Sequence, residues 1–308
     1  MLKKLINPRN WKYMLAGDIR REKQLQEKLR VYEENLMVPP GHFYSPLVNA
    51  CEIREREKVI FEIDRKFEAI DMQEKEQWEL VEQFKTYYRQ LAIPEEQTPG
   101  KRFYFNNGFF SYSDAVFLAS IILHHKPKRI IEIGSGFSSG LMIDVNEQFF
   151  NGAIDITFIE PYPHNLKALV QPGDRFTLLE KKVQQVELAE FNSLQENDLL
   201  FIDSTHVAKT GSDVLFEVFE VLPTLNRGVK IHFHDIFFPF EYPKQWVVEE
   251  KRSWNEIYLL RAFLMYNERF RIHAFNSFLT GKNPGWFEQH MPLCLKNTGG
   301  SCWLEKVE

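Results

Sequence analysis

No stretch of the 308 residues is apolar for long enough to cross a bilayer, so no transmembrane segment is expected. No block of Lys and Arg and no Arg-Gly repeat occurs, and the formal net charge is -5. A nucleic-acid groove needs concentrated positive charge, so no nucleic-acid partner is expected. Cysteine is scarce. Cys51, Cys294 and Cys302 share no metal-ligand spacing and form no even disulfide framework. That fits a reducing, cytoplasmic setting. Internal repeats and low-complexity segments are missing too. The basic start, "MLKKLINPRNWKYML", has no long apolar run, because Asn7, Pro8, Arg9 and Asn10 interrupt it. It is unlike a secretory signal and reads as a helix packed on its own domain or on a partner subunit.

What is present is an ordinary globular composition, 44% hydrophobic and 26% charged. The length allows one large domain with an extension, or two small domains. Phe occurs 27 times, which favours a thick aromatic core or an aromatic-lined pocket.

Residues 1–100 read as a helical region. "DIRREKQLQEKLR" mixes both charge signs at helical spacing, the mark of a solvated face. After Pro39, Pro40 and Gly41, helices are expected over Ile53–Ile70 and Glu74–Leu91. In the first of these Ile60, Phe61, Ile63, Phe67 and Ile70 share a face. "IPEEQTPGKR" is a turn-rich joint to a second domain, residues 101–308. There strand and helix alternate. Strands are expected in "KRIIEIGSG", "AIDITFIEP", "RFTLLEK", "DLLFIDS", "GVKIHFHD", "RFRIHAFNSF" and "GSCWLEKV". Helices lie between them, and the one in "SWNEIYLLRAFLMYN" opens on a capping box of Ser253 with Glu256. Such alternation specifies an α/β fold, a Rossmann-like doubly wound sheet with helices on both faces.

Open parallel sheets bind ligands beyond the carboxyl ends of their strands. The first strand runs through Glu132 and Ile133 into Gly134, Ser135, Gly136, Phe137 and Ser138. The two glycines let the backbone bend and approach a ligand, and the following helix offers free N–H groups. A dinucleotide fingerprint wants a third glycine where Ser139 stands, so a nicotinamide-dependent oxidoreductase is the weaker reading. Glu132 suits a ligand bearing an ammonium. Glu160, ending the second strand, suits ribose hydroxyls. Ribose, ammonium and carboxylate together describe S-adenosylmethionine.

The segments "IIEIGSGFSSG", "FIEP" and "LLFIDSTHV" resemble the successive motifs of class I S-adenosylmethionine-dependent methyltransferases. The chain is similar above all to a bacterial branch with "FIDSxHV…GSDV" and "HFHDIFxPFEYP" segments. The similarity runs from "GHFYSP" to "GGSCWLEK". It implies a seven-stranded, mainly parallel sheet whose last strand is antiparallel. It further implies that Glu132, Gly134, Ser135, Gly136 and Ser138 surround the methionine part of the cofactor and that Glu160 holds its ribose. Asp203 orients either backbone or the cofactor's amine. The activity implied is methyl transfer, most simply to oxygen of a small molecule or saccharide. A protein that keeps the fold without catalysis is a further alternative.

Groups that handle the acceptor should stand beside the sulfonium, at the fourth and fifth strand ends. Asp203 and His206 end the fourth strand; His234 and Asp235 end the fifth. "DSTH" lacks the Asn/Asp-Pro-Pro-aromatic turn of amino-group methyltransferases. Some related O-methyltransferases hold a divalent metal here, and Asp203, His234 and Asp235 match those positions. With a metal the acceptor hydroxyl is acidified; without one, His206 or His234 serves as general base. His232, inside the strand, reads as a core residue. Two segments read either as lids or as packing between the helical arm and the sheet. His42, Tyr44 and Ser45 lie in one; Phe238, Glu241, Tyr242 and Trp246 lie in the other. Asn106, Ser111 and Ser113 read as caps of the first core helix, or as cofactor contacts. Asp213 reads as a cap or orienting group for its helix. The helical arm makes a homodimer plausible.

Overall fold

The computed structural model describes residues 8–61 and 67–308, and side chains within the first helix from residue 19 onward. The chain divides into two compact units. One takes residues up to Ile60 together with Lys244–Ser253; the other takes Phe61–Pro243 and Trp254–Glu308. The helical region expected over 1–100 is therefore shared between them.

In the first unit a 28-residue helix, Pro8–Asn35, precedes two short helices, Ala50–Glu55 and Glu57–Ile60. Asn49 caps the first of these with its Oδ1, which accepts the Cys51 and Glu52 N–H groups. The long helix expected over Ile53–Ile70 is not continuous. It breaks at Arg56, and Phe67–Ile70 forms a turn. Ile63 lies outside the described residues. Periodicity of apolar residues is shared by helices and by turns that bury alternate residues, so the pattern alone overreached.

The second unit is a seven-stranded sheet. Its strands are β1 (Arg129–Ile133), β2 (Asp155–Ile159), β3 (Thr177–Leu179), β4 (Leu199–Ile202), β5 (Lys230–Phe233), β6 (Phe270–Phe275) and β7 (Cys302–Lys306). The spatial order is β3-β2-β1-β4-β5-β7-β6. The first five strands run parallel, and β7 enters antiparallel between β5 and β6. Every expected strand is present. β4 and β5 are buried at each residue; β4 reads as a continuous apolar run, while β5 buries Lys230 and His232 among its apolar residues. The order reverses between β1 and β4, so the tips of β1, β2, β4 and β5 share one end of the sheet. This is the class I methyltransferase arrangement. Behind it, the helix Glu74–Tyr88 packs Phe84 against Phe117 of Ser113–His125, with ring centroids 5.5 Å apart.

A buried cation fastens the joint to this unit. Arg102 donates to Asp144 (2.9 Å), Asp174 (2.7 Å) and Glu147 (2.8 Å). The Asp144 carboxylate also accepts the backbone N–H groups of Arg102 and Phe103. Gly140 favours this close packing, since a Cβ would fall 3.2 Å from the Arg102 side chain and 3.3 Å from its carbonyl, and the neighbour would have to give way.

Candidate active site

The glycine turn forms as its sequence demands. Gly134 has φ +82, and a Cβ there would lie 1.9 Å from the Asp203 carbonyl oxygen. Only glycine lets the β1 turn and the β4 tip come this close. Their ladder continues past the strands, with the Asp203 N–H donating to Ile133 (2.9 Å) and the Gly134 N–H to Ile159 (3.0 Å). Glu132 is fully buried, and the Ser138 and Ser139 hydroxyls donate to its two oxygens. Burial raises its pKa to about 8, and the serine hydroxyls pull the other way. Ser139 thus has a task that a third glycine could not perform. It also accepts the Gly136 N–H (3.0 Å). At the tip of β2, Glu160 accepts the N–H groups of Ser135 (3.2 Å) and Tyr162 (2.7 Å).

These tips border a cavity of about 420 Å³ lined among others by Gly134, Glu160, Tyr162, Val183, Asp203 and Asp213. It has the size of a small-molecule site. Of the residues expected to hold the cofactor, Gly134, Glu160 and Asp203 line it, while Glu132, Ser135, Gly136 and Ser138 lie outside its lining. Gly136 leaves open space where a Cβ would stand, and the Glu160 carboxylate lines the wall.

On the other side of Asp203 stand the histidines. His206 Nε2 lies 3.4 Å from Asp203 Oδ1 and 3.6 Å from Asp235 Oδ2. Its Nδ1 lies 2.8 Å from Glu256 Oε2. Burial opposes charge on this imidazole, but Asp203 and Glu256 outweigh it and hold its pKa well above the ordinary value. Asp203 is lowered: burial works against ionisation, and His234 and His206 overcome it. Asp235 is raised by burial, against the pull of both histidines. His234 is raised as well; burial resists, while Asp203, Asp235 and Asp114 prevail. Two of these residues have left-handed backbones, His206 at φ +60 and Asp235 at φ +55. Non-glycine residues held there cost about 1–3 kcal/mol, and such strain gathers at functional sites.

The structure brings Asp203, His206, His234 and Asp235 to one end of the sheet, as the sequence suggests. A three-ligand metal site does not form. Among the described residues no group of three or more His, Cys, Asp and Glu is arranged to hold a metal ion. The His206 imidazole takes the place between the two aspartates that a cation would need. His232 is a core residue, stacked 3.9 Å from Phe201.

Sequence reasoning mistook Glu256. The capping box expected of it with Ser253 does not form: the helix Glu256–Leu264 starts after Asn255 and has no side-chain cap. Glu256 points inward to His206 instead. Glu217 was missed altogether. It is fully buried on a π-helical turn, Glu217–Val221, and accepts the Ser204 hydroxyl (3.0 Å). Burial and the Glu256 charge raise its pKa well above normal. The one available signal was a pair of acids on otherwise apolar helix faces. Asp213 does orient its surroundings, accepting the Thr205 N–H and hydroxyl (3.1 and 2.6 Å), while Ser212 provides the cap. Ser111 accepts the Asn297 amide, and Ser113 is the first residue of its helix. Asn106 donates to Glu96 (2.9 Å).

The expected lid residues are dispersed. Phe238 packs against Phe275 and Phe278. Tyr242 is buried and its hydroxyl accepts the Ile257 N–H (3.2 Å). Glu241 accepts the Tyr242 N–H (3.1 Å) and the Tyr258 hydroxyl. His42, Tyr44 and Trp246 belong to the first unit; His42 Nδ1 accepts the Tyr44 N–H, and Arg252 stacks 3.9 Å from the Trp246 ring.

A sequence profile described as a methyltransferase domain matches residues 131–236, from the β1 turn to the β5 tip. An uncharacterised protein of Archaeoglobus fulgidus is 39% identical over 170 residues, which are 54% of this chain and 77% of that protein. Among solved structures, a methyltransferase of Podospora anserina bound to S-adenosylhomocysteine shares 15% identity at a TM-score of 0.40, over 89% of this chain and all of that one. A putative O-methyltransferase of Klebsiella pneumoniae shares 15% at 0.38, over 74% and 90%. An O-methyltransferase of Streptomyces achromogenes involved in tomaymycin synthesis shares 11% at 0.37, over 84% and 97%. Scores this low carry no argument of their own. No helix among the described residues is long and apolar enough to cross a membrane. The profile match across the strand tips and the strand order agree: the chain carries a methyltransferase domain with the class I S-adenosylmethionine-dependent fold.

Proposed function

We propose that the protein methylates an oxygen of a small molecule or saccharide, without a metal. The observation that carries this reading is the His206 imidazole, whose Nε2 faces Asp203 and Asp235 beside the cofactor cavity. Bound S-adenosylmethionine would supply both the methyl group and its leaving group. Glu160 would accept from the ribose hydroxyls. Gly134, Ser135, Gly136 and Ser138 would receive the methionine part, with Glu132 behind them fixing the turn through the Ser138 and Ser139 hydroxyls.

The chain's own work is then to seat the acceptor and remove a proton. An acceptor hydroxyl gives its proton to His206 Nε2 while its oxygen bonds the methyl carbon. The imidazolium so formed is stabilised by Asp203, Asp235 and Glu256. This is chemistry for a hydroxyl, because a neutral amine needs no base before it attacks. The saccharide acceptor rests on analogy with the family.

The test is turnover of S-adenosylmethionine with a panel of hydroxylated small molecules, saccharides and amines, read by S-adenosylhomocysteine release and by the position of the new methyl group. Methyl on oxygen is expected. Methyl on nitrogen would overturn the reading. Tight cofactor binding with no turnover across the panel would favour a protein that keeps the fold without catalysis.

A further inference from the structure

We propose that Glu256 is a positioning residue: it fixes the His206 ring so that Nδ1 carries a proton and Nε2 faces the acceptor. The inference rests on His206 being the base proposed above. It starts from burial. Only 6% of the His206 side chain and 1% of the Glu256 side chain is exposed. A carboxylate taken this far from water costs several kcal/mol unless its partner is well placed. The partner here is a single imidazole nitrogen, 2.8 Å away.

The backbones of the two residues are joined as well. The His206 carbonyl accepts the N–H groups of Asn255 (3.1 Å) and Glu256 (3.2 Å). The Asn255 side chain pairs with Ala208, accepting its N–H (2.6 Å) and donating to its carbonyl (3.2 Å). The β4 loop and the helix Glu256–Leu264 therefore move as one piece. Trp254 covers the imidazole, with ring centroids 4.4 Å apart. Asp203 and Asp235 stand farther from Nε2, at 3.4 and 3.6 Å, where a hydrogen bond is weak or absent. Among the described residues the shortest polar contact to the ring is the one with Glu256, 2.8 Å, and without it the ring could turn over or change tautomer.

Glu217 completes the group. Its Oε1 and the Glu256 Oε1 are both buried without a hydrogen-bond partner among the described residues. Two buried carboxyls, one of which feels the other's charge, cannot both ionise cheaply. Burial raises both, but His206 pulls the Glu256 pKa back, while Glu217, which among the described residues accepts only the Ser204 hydroxyl, is pushed well above normal and is the one that holds the proton. Local sequence preference would not place two acids here, since a buried acid pair with no role would be replaced by apolar residues at a gain in stability.

The experiment reads the ring directly and needs no turnover. In the full-length protein with labelled imidazole nitrogens, His206 is assigned by loss of its signals in His206→Asn. The expected result is a protected, downfield Nδ1–H proton that disappears in Glu256→Gln while the fold is kept. In parallel, Glu256→Gln should lower kcat at least tenfold, by analogy with tautomer loss in hydrolytic triads, with the cofactor KM unchanged. A His206 ring with Nδ1 unprotonated in the native protein would overturn the proposal, as would a Nδ1–H signal that survives Glu256→Gln. If no acceptor is turned over but the Nδ1–H signal behaves as expected, the proposed reaction fails and the positioning role stands.

Discussion

At the scale of single residues, His206 and Glu160 separate proton handling from cofactor binding. Asp203 and Glu256 overcome burial and raise the His206 pKa. The ring is therefore largely charged at neutral pH, and the base form grows as pH rises. We expect kcat to rise through a pKa above 6.5, measured as a rate–pH profile, and His206→Asn to abolish that limb. Stability runs the other way. The contribution from the charged ring is fully present below the unfolded value and is lost as pH rises through the folded one. Glu160→Gln should act on binding alone. It keeps the shape but weakens acceptance of ribose hydroxyls and of two N–H groups, so S-adenosylhomocysteine should bind about tenfold less tightly by calorimetry, roughly 1.4 kcal/mol. Unchanged affinity would remove Glu160 from the site. These residues were legible because each ends a strand, and strand ends converge wherever the strands are parallel. Glu256 was not. "SWNE" spells a local cap, whereas its real partner lies 50 positions earlier in sequence. Local chemistry competes with a long-range contact there, and burial decides for the contact.

At the scale of elements, the sheet was readable in full because β-rich apolar runs and glycine or proline breaks alternate so regularly. The helices were less so. The turn Phe67–Ile70 carries the same apolar spacing as a helix, and only the packing around it distinguishes the two. The π-helical turn Glu217–Val221 has no signature in sequence at all, yet it is what turns Glu217 inward. Arg102 shows how elements are joined by charge. Asp144 and Asp174 are both largely buried beneath it, and Glu147 stays half-exposed. Removing the cation by Arg102→Ala leaves two buried carboxylates without their partner. The expected loss is about 3–5 kcal/mol in urea unfolding, far more than a surface ion pair would give. A loss below about 1 kcal/mol would show that water replaces the guanidinium. Because this cluster lies away from the strand tips, cofactor affinity in the folded variant should be retained.

At the scale of the whole molecule, the histidines at the strand tips and those buried in the core make opposite demands. At the strand tips His206 and His234 sit among carboxylates and favour the charged form. In the core burial dominates. His232 is pushed well below the ordinary value, and so is His273; His125 falls to about 3. His125 and His273 share a hydrogen bond between ring nitrogens 2.8 Å apart, which requires at least one neutral ring. A histidine with a depressed folded pKa contributes stability above the unfolded value and loses it as pH falls below about 6.5. The core population therefore makes the protein acid-sensitive in a window where the tip population does not. His232 allows a clean test, since neither of its ring nitrogens has a hydrogen-bond partner among the described residues and it lies between Phe201 and Trp303. His232→Phe keeps the stacking and removes the titration. At pH 5 the wild-type histidine costs up to about 2 kcal/mol relative to pH 8, because the unfolded chain binds a proton that the folded core refuses. The variant should therefore gain most of that stability at pH 5 and less at pH 8, in paired urea titrations. An equal effect at both pH values would mean that His232 is protonated in the fold, and the division between core and tip would have to be redrawn around the aspartates nearest to it.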